Sequence, residues 1–381
     1  MNIKSLLLGS AAALAAVTGA RAADAIVTAE PEPAEYVRVC DIYGAGYFYI
    51  PGTQTCLRVG GYIRYDIRAG DLGSLDGAQA LDRQDGSING TWAKNARFAL
   101  MTWSGQETEL GTLKTYTQTR FNFGNTAKSG LGPDGNGGVG AYNKPASLNF
   151  AWIQLGGLRV GKDESAFNTF IGYAGSVIAD TLVPFGSYDT NVIQYYFDAG
   201  NGFTAVVSLE EGSKAFTIDS YVPHVVGGVK YKQDWGAITG VASYDSNYDE
   251  FAGKVRLDVT ATSQLSLWIM GGYGTDNNLS DYLGNGGRGF YKQWYGHWAI
   301  WGGGTYKFND KTSVNTQISY DQGKNLGIAA NVAYTIVPGF TITAEVDYLN
   351  AGKFGDADFS NWTGADKKSS IGGALRFQRS F

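Results

Sequence analysis

Two histidines, two cysteines and two glycine- or asparagine-rich runs are the residues whose types and spacing could support chemistry in this chain. A hydrolytic triad needs a histidine beside a serine nucleophile and an acid. His297 instead precedes Trp298 near the start of a predicted strand, which is the setting of an interface residue, and His224 is the only other histidine. The run GLGPDGNGGVG at 130–140 shares only its glycines with a phosphate loop. No Gly-Lys-Ser/Thr follows it and no helix opens after it, so a flexible outer loop is expected. DNNLSD from Asp276 starts like a calcium loop but lacks the required glycine, and Gly287 stands where the bidentate glutamate belongs. Asn89-Gly90-Thr91 and Asn361-Trp362-Thr363 fit the glycosylation sequon and indicate exposed loops. No catalytic residue, metal ligand or cofactor is expected, and neither is enzymatic activity.

Charged residues are more informative. Arg58, Arg64, Arg97, Arg120, Arg159 and Arg376 each fall on the polar face of an alternating segment, and Asp163, Glu164, Asp180 and Asp189 lie along one long connection. Rows of opposite charge facing one another across a narrow aqueous passage make a transverse field that favours polar over apolar solutes. Pairing with wall neighbours, or a place on a rim, is the plainer account of any one of them. Such a passage needs elements that hold the two rows apart.

The first residues set the compartment. Lys4 supplies a charged start, LLLGSAAALAAV an apolar stretch and Ala20-Arg21-Ala22 a cleavage site, so residues 1–22 are expected to be a removed leader. The mature chain then begins near Ala23, and the apolar stretch is too short to span a bilayer. Removing Lys4 and Arg21 from the 30 basic residues leaves 28 against 35 acidic ones, and the resulting charge of −7 excludes a general nucleic-acid binder. Export places Cys40 and Cys56 in a disulfide-permissive space. One bridge closing DIYGAGYFYIPGTQT is the simplest reading; a metal site, which lacks nearby histidine, and two free buried thiols are the alternatives.

No run of about eighteen apolar residues follows the leader, so no transmembrane helix is expected, and the mean hydropathy is −0.17. The 54 Gly, 24 Tyr, 19 Phe and 9 Trp, set against 8 Pro and 3 Met, suit many strands joined by loops. In TSVNTQISYD, at 312–321, Val314, Thr316, Ile318 and Tyr320 share one face, while Asn315, Gln317, Ser319 and Asp321 share the other. LRVGGYIRYDIR sets Leu57, Val59, Ile63, Tyr65 and Ile67 against Arg58, Tyr62, Arg64, Asp66 and Arg68. About sixteen such segments are predicted, at 56–68, 91–104, 111–123, 147–155, 157–162, 191–198, 202–210, 225–234, 236–245, 252–260, 264–274, 296–308, 311–321, 326–337, 339–349 and 369–381. Tight turns at 156–157, 199–201, 235–236, 261–263, 309–310 and 337–339 take turns with connections that are mostly long, at 69–90, 124–146, 163–190, 211–224, 275–295 and 350–368. One plain end and one elaborated end, with an even number of roughly ten-residue strands, is the signature of an outer-membrane barrel. Closing the sheet removes the many edges that a one-faced sandwich of this size would have to protect. The charge-rich faces then line water and the apolar faces meet lipid. Aromatics at Tyr195-Tyr196-Phe197, Trp268, Trp298, Tyr306-Lys307-Phe308, Tyr334, Tyr348 and Phe377 are candidates for interfacial girdles. The expected organisation is a leader at 1–22, an N-terminal segment with a cysteine-closed loop at 23–55, and an all-β transmembrane antiparallel barrel at 56–381.

VRVCDIYGAGYFYIPGTQTCLRVGGYIRYD from Val37 to Asp66, RVGKDESAFNTF from Arg159, and the ending ALRFQRSF resemble the alphaproteobacterial general porins, the major outer-membrane porin type of Brucella and its relatives. The likeness covers the mature chain. It implies sixteen-stranded barrels associated as homotrimers among outer-membrane lipid and lipopolysaccharide, each barrel with its own diffusion pore. It also implies that Phe381 is read by the outer-membrane assembly machinery; a lipid-facing aromatic at a strand end is compatible with that. The third long connection carries Phe167, Phe170, Ile171, Val177, Ile178, Leu182, Val183 and Phe185, too apolar a set for a loop in water. Folded inward, as the third loop of related porins is, it would narrow the channel and set its acids opposite the arginines. The expected function is passive diffusion of ions and small hydrophilic solutes, with no cofactor. A channel specialised for sugars or anions is the second reading, which aromatic ladders on inner faces would favour, and Tyr62 and Tyr116 are too few to make one. A secreted lectin-like β protein is the third.

Overall fold

The computed structural model describes residues 38–73, 75, 77–125, 140–275, 289–354 and 367–381. The leader, the glycine run up to residue 139, the segment from Asp276 to Gly287 and the sequon at Asn361 lie outside the described residues.

β-Branched, aromatic and glycine residues alternating with polar ones build one closed antiparallel sheet. A short strand β1 (Phe48–Tyr49) precedes the first wall strand, β2 (Cys56–Gly70), and a small hairpin of β3 (Gln79–Leu81) and β4 (Ile88–Gly90) follows it. The wall continues through β5 (Ala93–Thr108), β6 (Gly111–Gly124), β7 (Tyr142–Leu155), β8 (Leu158–Glu164), β9 (Asp189–Gly200) and β10 (Phe203–Glu210). Next come β11 (His224–Gln233), β12 (Gly236–Asp245), β13 (Glu250–Thr260), β14 (Leu265–Gly274) and β15 (Trp298–Asn309). Last are β16 (Thr312–Asp321), β17 (Leu326–Val337), β18 (Phe340–Asn350) and β19 (Ser369–Ser380). Sequential neighbours pair throughout the wall, and β19 closes on β2 with Arg376 opposite Asp66. The sixteen wall strands are the predicted sixteen, with ends moved by a few residues. The largest shift is in β7, which begins at Tyr142 where the sequence pattern starts only at 147. The hairpin β3–β4 lies inside a predicted long connection, because three-residue strands carry no readable period.

Which face is wet is settled by exposure. In β16, Gln317 is 1% exposed and Ile318 56%, the reverse of a soluble sheet. Lys254, Glu345 and Asp347 are likewise buried beside exposed Val255 and Val346. The apolar faces therefore point outward, as a lipid-spanning barrel requires. Two girdle candidates do not. Tyr196, between the exposed Tyr195 and Phe197, lies 5.0 Å from the Arg159 guanidinium, and Trp268 lies 4.6 Å below that of Arg256. Period-two alternation turns both rings into the lumen, whatever their distance from the strand end.

Cys40 and Cys56 are joined by a disulfide. The loop they close sits at the end of the barrel that carries the short turns, where the Tyr43 hydroxyl donates to Glu107 Oε1 at 2.9 Å. At the same end, Phe381 exchanges backbone hydrogen bonds with Gly61, and its ring is exposed.

Candidate functional site

The connection between β8 and β9 folds into the barrel. It opens with a single helical turn, α1 (Ala166–Thr169), whose N-cap Ser165 accepts from the Phe167 amide through Oγ at 3.1 Å. Its apolar residues then have two places to go. Phe167, Phe170, Ile171, Val183 and Phe185 pack on inward-facing wall residues, among them Val206, Val226, Val241, Met270 and Trp301. Farther along, Val177 and Leu182 pack with Ala329 and Leu349 and with Leu75 from the first outer connection, so that two loops meet inside the mouth. Of the eight apolar residues that the sequence singles out, only Ile178 remains partly exposed. Gly228 and Gly327 make the approach possible: a Cβ at the first would stand 2.7 Å from the Phe170 ring, and one at the second 2.4 Å from Leu182 Cβ.

Polar wall residues hold the loop's backbone, which the barrel has removed from bulk water. Gln317 donates to the Asp180 carbonyl at 2.7 Å, Trp301 Nε1 to that of Val183 at 2.8 Å and Asn331 to that of Ser176 at 3.1 Å. Glu345 accepts from the Ala179 amide at 2.7 Å and from that of Ile178, and Glu210 accepts from the Ala166 amide at 2.9 Å. Lys254, 1% exposed, donates to Asn168 Oδ1 and to the Phe185 carbonyl, both at 2.7 Å, with its ammonium 4.0 Å from the Phe167 ring centroid. These anchors were not singled out in the sequence, where they are only members of polar faces.

Across the lumen, β19, β2, β5 and β6 carry a basic wall. Arg64 and Arg97 are register partners, with Arg120 close by on β6. Arg64 donates to Gln378 at 2.8 Å and Arg97 to Asn122 at 2.9 Å; with the Gln118 amide oxygen turned toward it, Arg120 donates there at 2.7 Å. None of these three has a carboxylate partner among the described residues. Arg376 is bound through two nitrogens to Asp66, at 2.7 and 3.2 Å. Arg159 bridges to Asp163 at 2.8 Å, and Arg58 lies lower on the wall, over Trp103.

The acids divide in the same way. Asp163 and Glu164 belong to β8 and Asp189 to β9, not to the connection itself, because the strand ladder continues through Asp163–Thr190 and Glu164–Asp189. Asp163 is committed to Arg159, and Asp189 to Lys162. Glu164 accepts from the Tyr173 hydroxyl. Asp180, the one acid in the loop proper, has no ion pair among the described residues. Burial pushes its carboxyl up to about 6, with Glu345 and Glu164 adding to the rise and Arg376 opposing it. Glu164 and Asp180 are thus the two of these four acids without an ion pair among the described residues.

The histidines bear on the alternative of catalysis. His224 lies 3.2 Å from Ser246 Oγ and 3.5 Å from Asp245, but both contacts are made by Nδ1, while Nε2 meets the Phe216 carbonyl. A relay needs the acid and the nucleophile on opposite ring nitrogens, and here Ser246 Oγ donates to the Val222 carbonyl. His297 Nδ1 is 2.8 Å from the Gly274 carbonyl, beside Tyr273.

Comparison with known proteins gives the following. The profile of the Porin subfamily matches residues 24–374. Porin Omp2b of Brucella suis biovar 1 is 50% identical over 397 residues, spanning 100% of both chains, and Porin Omp2b of Brucella neotomae is 50% identical over 393 residues, again 100% of both. Among solved structures, the outer membrane channel DcaP of Acinetobacter baumannii superimposes with a TM-score of 0.59 at 15% identity, over 87% of this chain and 99% of its own. OprB of Pseudomonas putida gives 0.54 at 11%, over 84% and 94%. At these identities the two structures speak for the fold alone.

Proposed function

Because this chain belongs to the porin subfamily and is an outer-membrane porin, a multi-pass β-barrel channel, we propose that it conducts ions and small hydrophilic solutes passively through a waist formed by the inward-folded loop. The observation that carries this reading is the loop itself, whose apolar side is buried against the inner wall of the barrel. Opposed charge at a narrow point orients water and polar solutes and penalises apolar ones. Committed pairs such as Asp163–Arg159 contribute little to that field, so Glu164 and Asp180 are proposed as its acidic side and Arg64, Arg97 and Arg120 as its basic side. No catalytic role is proposed, since His224 contacts both potential partners through one nitrogen.

The family match begins at residue 24, next to the proposed leader cleavage before Ala23. Association as homotrimers is supported by the outer face of β5 and β6, where Thr102 and Thr117, and Ser104 and Thr115, pair hydroxyl to hydroxyl at 2.6 Å in place of greasy residues. A face of this kind suits another barrel better than lipid. Cross-linking in intact membranes that yields only monomers would remove the trimer. Insertion by the assembly machinery through Phe381, and contact with lipopolysaccharide, are proposed on family grounds alone.

The decisive test is a planar-bilayer recording. Deleting residues 169–182 should raise single-channel conductance, since a sixteen-stranded wall encloses a wider lumen than the loop leaves. Shortening the tip of the β3–β4 hairpin should not. An unchanged conductance after the first deletion would place the constriction elsewhere.

A further inference from the structure

On the inner wall, at the end that carries the short turns, aromatic rings stand side by side. Trp103, Tyr116 and Trp152 are register partners across β5, β6 and β7, and Arg58 completes the row on β2. Trp103 and Tyr116 stack with centroids 5.4 Å apart and planes at 26°; Tyr116 and Trp152 are 5.7 Å apart. All three rings are only partly buried, which leaves apolar faces in a passage that holds water. A solute with an apolar face recovers that cost when it covers them.

Two guanidinium groups frame the row, and they differ. Arg159 lies 4.0 Å from the Trp152 ring centroid, but its nitrogens are taken by Gln154 at 2.9 and 2.8 Å and by Asp163 at 2.8 Å. Arg58 lies 4.7 Å from the Trp103 centroid, is exposed, and makes no hydrogen bond or ion pair among the described residues. A guanidinium stacked on an indole is held in orientation by the ring, and its donor edge stays free for the two oxygens of a carboxylate.

From this juxtaposition we propose that the row is a subsite for aromatic carboxylates, with the carboxylate on Arg58 and the ring against Tyr116. An aliphatic acid gains the ion pair without the stacking, and an uncharged aromatic gains the stacking without the ion pair. A single such subsite slows the passage of one solute class and leaves the channel open to others. The inference rests on the reading of the lumen as an aqueous path.

The test is single-channel recording of the intact porin in potassium chloride, with benzoate, acetate or benzyl alcohol added on the short-turn side. Benzoate should interrupt the current at concentrations at which acetate and benzyl alcohol do not. Arg58→Gln and Tyr116→Leu should each raise the concentration of half effect by about tenfold, the scale of a lost charge-assisted bond or aromatic contact, and Arg58→Lys should recover part of the loss. Each variant is judged against its own benzoate-free current, so only folded, conducting channels are scored. Benzoate acting like acetate on the unaltered porin, or acting on both variants at the same concentration as on the unaltered porin, overturns the subsite. Absence of any current in the unaltered porin would instead overturn the channel reading.

Discussion

At the scale of single residues, what matters is which side of the wall a position faces. Ile318 is 56% exposed on the outer face of β16, and Thr341 belongs to the inner face of β18, where its hydroxyl meets that of Thr335 at 3.1 Å. An arginine at mid-membrane on the lipid face costs about 2–4 kcal/mol. Ile318→Arg should therefore lower the folding stability in lipid vesicles by that amount, while Thr341→Arg should fold normally and only alter ion preference. Equal folding losses at the two sites would reverse the assignment of faces. This much was legible in the sequence, because period-two alternation fixes the face once closure has fixed which face is wet. The role of Gln317 was not. It is a member of the polar face in the sequence, yet it is 1% exposed and holds the Asp180 carbonyl, a contact set by a loop more than a hundred residues away in the chain.

At the scale of elements, the wall and the inward loop divide the work. Strand number, turn positions and the buried apolar side of the loop could be read from composition, since each is a local pattern with a period or a run length. The path of the loop could not be read, because it depends on which inner-face residues it meets: Lys254, Glu345 and Glu210 look like any lumen-facing charge until the backbone they bind is in place. Lys254 is the most exacting of these anchors, a buried ammonium satisfied by Asn168 and the Phe185 carbonyl. Lys254→Met keeps the apolar stem but leaves two buried acceptors without a donor, at about 1–3 kcal/mol each. The outer-face pattern of β13 is untouched, so the barrel should keep its heat-resistant migration in gels. The loop should undock more often, which predicts noisier open-channel current and faster protease cleavage between residues 170 and 185. Current and cleavage identical to the unaltered porin would mean that the apolar packing of Phe167 and Phe185 holds the loop without the ammonium.

At the scale of the whole molecule, the mature charge expected from the sequence is −7, yet the basic wall lies in the passage, so overall charge alone does not set ion preference. The balance proposed for the waist is between the three arginines and two acids, of which Asp180, in the loop, has its carboxyl raised to about 6 by burial. A raised carboxyl pKa means that this group is ionised above about 6 and takes up its proton as the pH falls through that value. Cation preference should then decrease as pH is lowered from about 7.5 to about 5, a range in which an unperturbed aspartate stays ionised. The shift should be read as the reversal potential across a potassium chloride gradient, and it should be largest in dilute salt, where the Debye length is about 30 Å at 0.01 M. Asp180→Asn should remove most of this pH response, and Glu164→Gln should move the preference further toward anions. A response that survives in Asp180→Asn would assign the titration to another group and leave Asp180 as a structural residue of the loop.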